Sequence, residues 1–159
     1  MTEITLLDPA DIRVLRILQK DASQSIADIA REAGMSQTPC WRRIKRLKES
    51  GVIKQVAALV DRESVGLGFL AYSFVKLNVP SRDNMETFDR LVAIWPEVVT
   101  CERITGAVDY LIKVVTTDMK AYDDFLRLKL LDNDLVSDVQ SRIVVSTIKE
   151  TIALPLRDG

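Results

Sequence analysis

Five cations, Arg42, Arg43, Lys45, Arg46 and Lys48, fall within residues 36–50, where Glu49 is the only acid. Residues 1–54 carry ten Lys/Arg against seven Asp/Glu, a net of +3, which leaves a net of −4 for the rest of the 159-residue chain. The positive field is therefore local, and it suits a polyanion. Gln37 and Thr38, just ahead of the cations, carry groups that can read base edges, and Arg42 has the reach for a guanine or a phosphate. Taken alone, such a run is more often a solvated helix face than a nucleic-acid contact, so its neighbours must decide. Acid-base chemistry starts with a handicap. The chain has no histidine, hence lacks the usual general base, metal ligand and near-neutral switch. The expectation is a binding protein and not an enzyme, with no cofactor and no metal.

Three short helices are expected to position these groups. Asp8-Pro9 is an N-cap followed by a first-turn proline, and Ile12, Leu15 and Leu18 recur at helical spacing to about Asp21. Ser25 can cap a second helix with an apolar stripe of Ile26, Ile29, Ala30 and Ala33, stopped by Gly34. Ser36 can cap a third, with Pro39 in its first turn and Gly51 closing it. A helix, a three-residue turn and a cationic helix make a helix-turn-helix, whose second helix enters the major groove. Cys40, Ile44 and Leu47 should face the core of that unit, while Arg42, Lys45 and Arg46 point outward. Ser36, Gln37, Thr38, Trp41, Arg42, Arg43, Lys45 and Arg46 are the candidate DNA contacts. Trp41 has a second reading, as packing against the first helix. Cys40 reads as a small core residue, although nearby cations could lower its thiol pKa.

From Val52 the texture becomes extended: "VIKQVAALVD" reads as a strand leaving the helical unit, and "RESVGLG" as a connection. Beyond it come a strand ("FLAYSFVKLNV"), a helix with Phe88, Leu91, Val92 and Trp95 on one face, and two strands flanking Gly106 that should pair as a hairpin. A helix capped by Asp118, with Tyr122, Phe125, Leu126 and Leu130 on one face, and a last strand within "DVQSRIVVSTIK" complete the order β-α-β-β-α-β. The fold class is α+β: a (winged) helix-turn-helix domain over 1–54, a connecting strand and linker over 55–68, and a ferredoxin-like domain over 69–159. A four-stranded sheet with helices on one face leaves Tyr72, Phe74 and Val144 free to pack on a second copy, which predicts a two-fold homodimer and a palindromic double-stranded DNA site. No apolar run is long enough to span a bilayer and no secretion signal opens the chain, so no membrane partner and a cytoplasmic location with Cys40 and Cys101 reduced are expected.

The segments "LDPADIRVLRILQKDA", "IADIAREAGMSQTPCWRRIKRLKESGVIK", "AALVDRESVGLG", "WPEVVTCERITGAVDYLIKVVTTDM" and "IKETIALPL" occur in the order and spacing of one family. On them the chain resembles the Lrp/AsnC, or feast/famine, transcriptional regulators over nearly its whole length. Pro39-Cys40 and the closing Leu154-Pro155-Leu156 look most like its cysteine-responsive branch. The resemblance implies sequence-specific DNA binding, dimers that assemble further, commonly into octamers, and a second domain that takes an amino acid or related metabolite as effector.

The resemblance also implies where that effector lies: the turn Thr105, Gly106, Ala107, Val108, Asp109 and Tyr110, with Gln140 and Ser141 of the last strand. The chemistry is consistent, since Gly106 permits close backbone approach, amides can hold a carboxylate, and Asp109 can pair with an ammonium. Gly106 and Asp109 equally suit a plain hairpin turn. Two rival functions remain open: a ligand-independent architectural DNA protein, and an enzyme resembling the siroheme decarboxylases, whose chemistry is associated with the histidines this chain lacks.

Overall fold

Asp8 starts the first helix by a reciprocal cap, its carboxylate accepting the Asp11 amide at 2.8 Å while the Asp11 carboxylate accepts the Asp8 amide at 3.1 Å. In the computed structural model, which describes residues 6–157, the helices are α1 (Pro9–Lys20), α2 (Ile26–Glu32) and α3 (Gln37–Glu49). Ser25 caps α2 through the Asp28 amide, and Gly34 (φ +68°) makes the left-handed turn between α2 and α3 that a side chain would disfavour. Ser36 has the extended backbone of a cap, but its hydroxyl makes no cap hydrogen bond. Val14, Leu15 and Ile17 of α1 pack with Ile29, Ala30 and Ala33 and with Cys40, Ile44 and Leu47, the face expected for α3.

One expectation for this part of the chain fails. The run from Val52 to Asp61 forms no strand; extended backbone needs a pairing partner, and this run has no ladder partner within the described residues. The closing segment from Lys149, the end of the second domain in the sequence reading, packs with the compact unit that holds the residues through Leu59. The cause is local. Leu156 packs on the helical core, the Arg16 guanidinium donates to the Leu156 carbonyl at 2.7 Å, and the Gln19 amide both accepts from the Leu154 amide (2.7 Å) and donates to its carbonyl (3.3 Å).

The second compact unit, Val60–Ile148, contains β1 (Phe69–Leu77), α4 (Arg82–Val92), β2 (Val98–Arg103), β3 (Tyr110–Thr116), α5 (Met119–Phe125) and β4 (Val136–Ile143). Its single antiparallel sheet has the order β2-β3-β1-β4, the ferredoxin-like arrangement expected from the sequence. The helix capped by Asp118 passes at Leu126 into a π-helical turn, Leu126–Leu131, which still buries Leu130. Ala71, Val75 and Leu77 of β1 and Tyr110, Ile112 and Val114 of β3 join Phe88, Val92, Trp95, Tyr122 and Phe125 in one core. Strand alternation sends Tyr72 and Phe74, with Leu111 opposite Phe74, to the other face. Inside the core, the Tyr122 hydroxyl bonds Ser73 Oγ at 2.8 Å and also Ser141 Oγ.

Candidate nucleic-acid interface and effector site

The candidate surface follows from the way α3 divides its side chains. With Cys40, Ile44 and Leu47 turned inward, Gln37, Thr38, Arg42, Lys45 and Lys48 are all exposed. Among the described residues the Arg42 guanidinium has no ion-pair partner. Lys45 lies 3.7 Å from Glu49, and its ammonium sits over the Trp41 ring, 5.4 Å from the centroid. The uncapped Ser36 leaves the first amides of a 13-residue helix open at the end where an anion is favoured.

Two of the expected contacts are turned elsewhere. Arg43 Nη1 bonds both Asp8 and Asp11, the latter at 2.8 Å, and Arg46 Nη2 bonds the other Asp11 oxygen. Asp11 is fully buried; burial alone would raise its carboxyl, but hydrogen bonds from Arg43, the Asp8 amide and Arg46 outweigh it and hold it below the usual carboxylate range. The Asp8 carboxyl is lowered too, chiefly by its hydrogen bond from Arg43. Opposite charge at i+32 and i+35 wins over solvent for Arg43 and half-exposed Arg46, so these side chains lock α3 to α1. The capping-box spacing of Asp8 and Asp11 was the available signal for this anchor, but spacing alone does not reveal a partner so distant in sequence.

Trp41 also departs from one of its two readings. It does not pack on α1: it is 51% exposed and, with Ile26, Gln37 and Thr38, lines a shallow groove between α2 and α3 of about 340 Å³. Ile26, packed against the helical core as its place in the apolar stripe of α2 implies, also lines that groove. Cys40 is buried, as a small core residue should be, and burial pushes its thiol up. Burial, then Asp89 and Glu102, push the Cys101 thiol up to about 11.

The expected effector residues do not all converge. Thr105, Gly106 and Ala107 are exposed in the β2–β3 turn, with Val108 half-buried beside them. Gly106 has φ +128°, and a Cβ there would meet nothing within 4 Å, so the backbone conformation, and not space, demands glycine. Asp109 works for the fold: its Oδ2 accepts the Leu77 amide at 2.8 Å and its own amide donates to Val75, pinning the turn to β1. Tyr110 is not an accessible contact. Its ring is wholly buried in the core and its hydroxyl donates to Asp89 (3.0 Å) and the Met85 carbonyl (3.2 Å); burial and Asp89 push it up to about 12. Gln140, paired with Phe74, lies on the outer face, whereas Ser141, paired with Ser73, turns to the helices and Tyr122. Adjacent strand residues point to opposite faces, so the two cannot contact one ligand from the same side.

Comparison with known proteins matches both units. Residues 7–54 match the winged helix-turn-helix DNA-binding model and residues 70–154 the Lrp/AsnC ligand binding domain. The chain is 36% identical over 151 residues to the DNA-binding transcriptional activator DecR of Escherichia coli, covering 95% of this chain and 99% of that one. It is 34% identical over 151 residues to the transcriptional regulator AzlB of Bacillus subtilis, covering 95% and 96%. A transcriptional regulator of Neisseria meningitidis, solved as an L-Met complex, superposes with a TM-score of 0.90 at 38% identity over 94% of this chain and 97% of that one.

Proposed function

The chain belongs to the Lrp/AsnC family of DNA-binding transcriptional regulators, and on that premise we propose that α3 reads operator DNA while an amino acid at the β2–β3 turn controls assembly. The observation that carries the DNA half is the division of α3 into a buried apolar face and an exposed face bearing Gln37, Thr38, Arg42 and Lys45. Ser36, Trp41 and the open helix start belong to the same surface. Arg43 and Arg46 serve it by holding α3 against α1.

The sensing half rests on the exposed backbone of residues 105–107 and on the L-Met bound by the Neisseria relative. Amides of that turn can hold an α-carboxylate, and the Asp109 oxygen not bonded to Leu77 can take an α-ammonium. The outer sheet face, with Tyr72 and Phe74 half-buried and Leu111 opposite Phe74, supports a two-fold dimer. Such a dimer would present two α3 helices to a palindromic site, and further assembly toward an octamer would put turns of neighbouring dimers within reach of one ligand. A cytoplasmic location fits this role; no helix among the described residues is long and apolar enough to cross a membrane.

A thermal-shift series with the purified full chain and each of the twenty amino acids tests the sensing half, because a ligand bound only by the native state raises Tm. One clear hit that also changes operator affinity supports it. No hit, with DNA binding intact, would replace the sensor reading with an architectural DNA protein.

A further inference from the structure

We propose that the notch formed by Trp41 of α3 and Ile26 of α2 seats the C5 methyl group of a thymine, making Trp41 a specificity-determining residue. The inference rests on the reading of α3 as the major-groove helix. Trp41 is half-exposed, with Ile26 half-buried beside it and Gln37 and Thr38 completing the groove. Lys45 over the indole ring restrains its orientation. This apolar surface has the Lys45 ammonium against it, and Arg42 and Lys48 are exposed on the same helix. Those cations favour a polyanion over an apolar protein segment. On a major-groove edge the apolar group a base offers is the thymine methyl.

Position adds a second constraint. Gln37 and Trp41 are four residues apart, so they share a side of the helix about 6 Å apart along its axis, roughly two base-pair steps. Glutamine pairs best with adenine through N6 and N7. The recognised half-site should therefore hold an adenine read by Gln37 and, within about two steps of it, a thymine read through its methyl.

The test uses the full chain and a DNA duplex it selects from a pool with a randomised centre. Each thymine of the enriched sequence is then replaced singly by deoxyuridine, which removes the methyl and leaves every hydrogen-bonding group in place. The wild-type chain should lose about fourfold in affinity at one position per half-site, the value of one buried methyl group. Trp41→Ala should be indifferent to the replacement at that position, and Trp41→Leu should retain part of the discrimination. An unchanged Tm for both variants, expected of a half-exposed side chain, confirms that the fold is intact. Indifference of the wild type to uracil at every thymine, or an undiminished uracil penalty in Trp41→Ala, would overturn the proposal. If no sequence is enriched and Gln37→Ala changes nothing, the major-groove reading itself fails and the notch with it. Enrichment with Gln37 dependence but silence toward uracil sinks the notch alone.

Discussion

The Asp11 carboxylate of α1 and the Arg43 guanidinium of α3 meet at 2.8 Å, and the carboxylate is entirely shielded from solvent. Arg46 takes the second carboxylate oxygen and Asp8 shares Arg43, so two carboxylates and two guanidiniums fix one helix against the other. A buried charge is tolerated only when paired and hydrogen-bonded, and here every Asp11 oxygen is engaged. The outcome is that the orientation of α3, the proposed recognition helix, depends on a residue outside its exposed face.

The first prediction concerns acid. Because the Asp11 carboxyl sits below its ordinary value when folded, its contribution to stability is complete above the unfolded-state pKa of about 4. That contribution is lost as pH falls through the lower folded value. Melting followed by circular dichroism should show the helical unit weakening below about pH 4, and Asp11→Asn should flatten part of that dependence. At neutral pH Asp11→Ala should cost about 2 kcal/mol, less than for a fully buried pair because both arginines can reach water. An acid profile unchanged in Asp11→Asn would contradict the anchor.

For Arg42, exposed and without an ion-pair partner among the described residues, the expected effect is on DNA alone. Arg42→Ala should weaken operator binding roughly tenfold and lower the slope of log affinity against log salt by about one. Tm should not move. Equal retention of operator in a mobility-shift assay would remove Arg42 from the interface.

The closing segment provides a stability prediction. Leu156 is half-buried on the helical core and its carbonyl accepts from Arg16. Leu156→Ala should cost about 1 kcal/mol, below the value for a fully buried leucine. Gln19→Ala should add to proteolytic cleavage of the segment by removing both bonds to Leu154. A segment cut equally fast in the wild type and Gln19→Ala would show that those bonds do not hold it.

Asp109 can be separated into a fold role and a ligand role. Asp109→Asn keeps an oxygen for the Leu77 amide but loses the charge that would pair with an ammonium, whereas Asp109→Ala loses both. The alanine variant should therefore lose about 1 kcal/mol of stability. Both should lose amino-acid affinity in calorimetry while retaining DNA binding. Full ligand affinity in Asp109→Asn would confine this residue to the turn.

The sequence alone determined what depends on neighbours a few residues apart. Caps at Asp8, Ser25 and Asp118, the glycine stop at Gly34, and the helical stripe of Cys40, Ile44 and Leu47 all act within a turn or two of helix, so spacing reveals them. The β-α-β-β-α-β order was legible for the same reason, as was the exposed cationic face of α3. Tertiary structure decided the fates that hang on distant partners. Arg43 and Arg46 were drawn to Asp8 and Asp11, Trp41 went to a groove with Ile26 instead of to α1, and Tyr110 went into the core toward Asp89. The segment after Lys149 likewise returned to Arg16 and Gln19. In each case competing locations for one side chain or segment differ in burial and charge pairing across many intervening residues, and local periodicity does not encode that comparison.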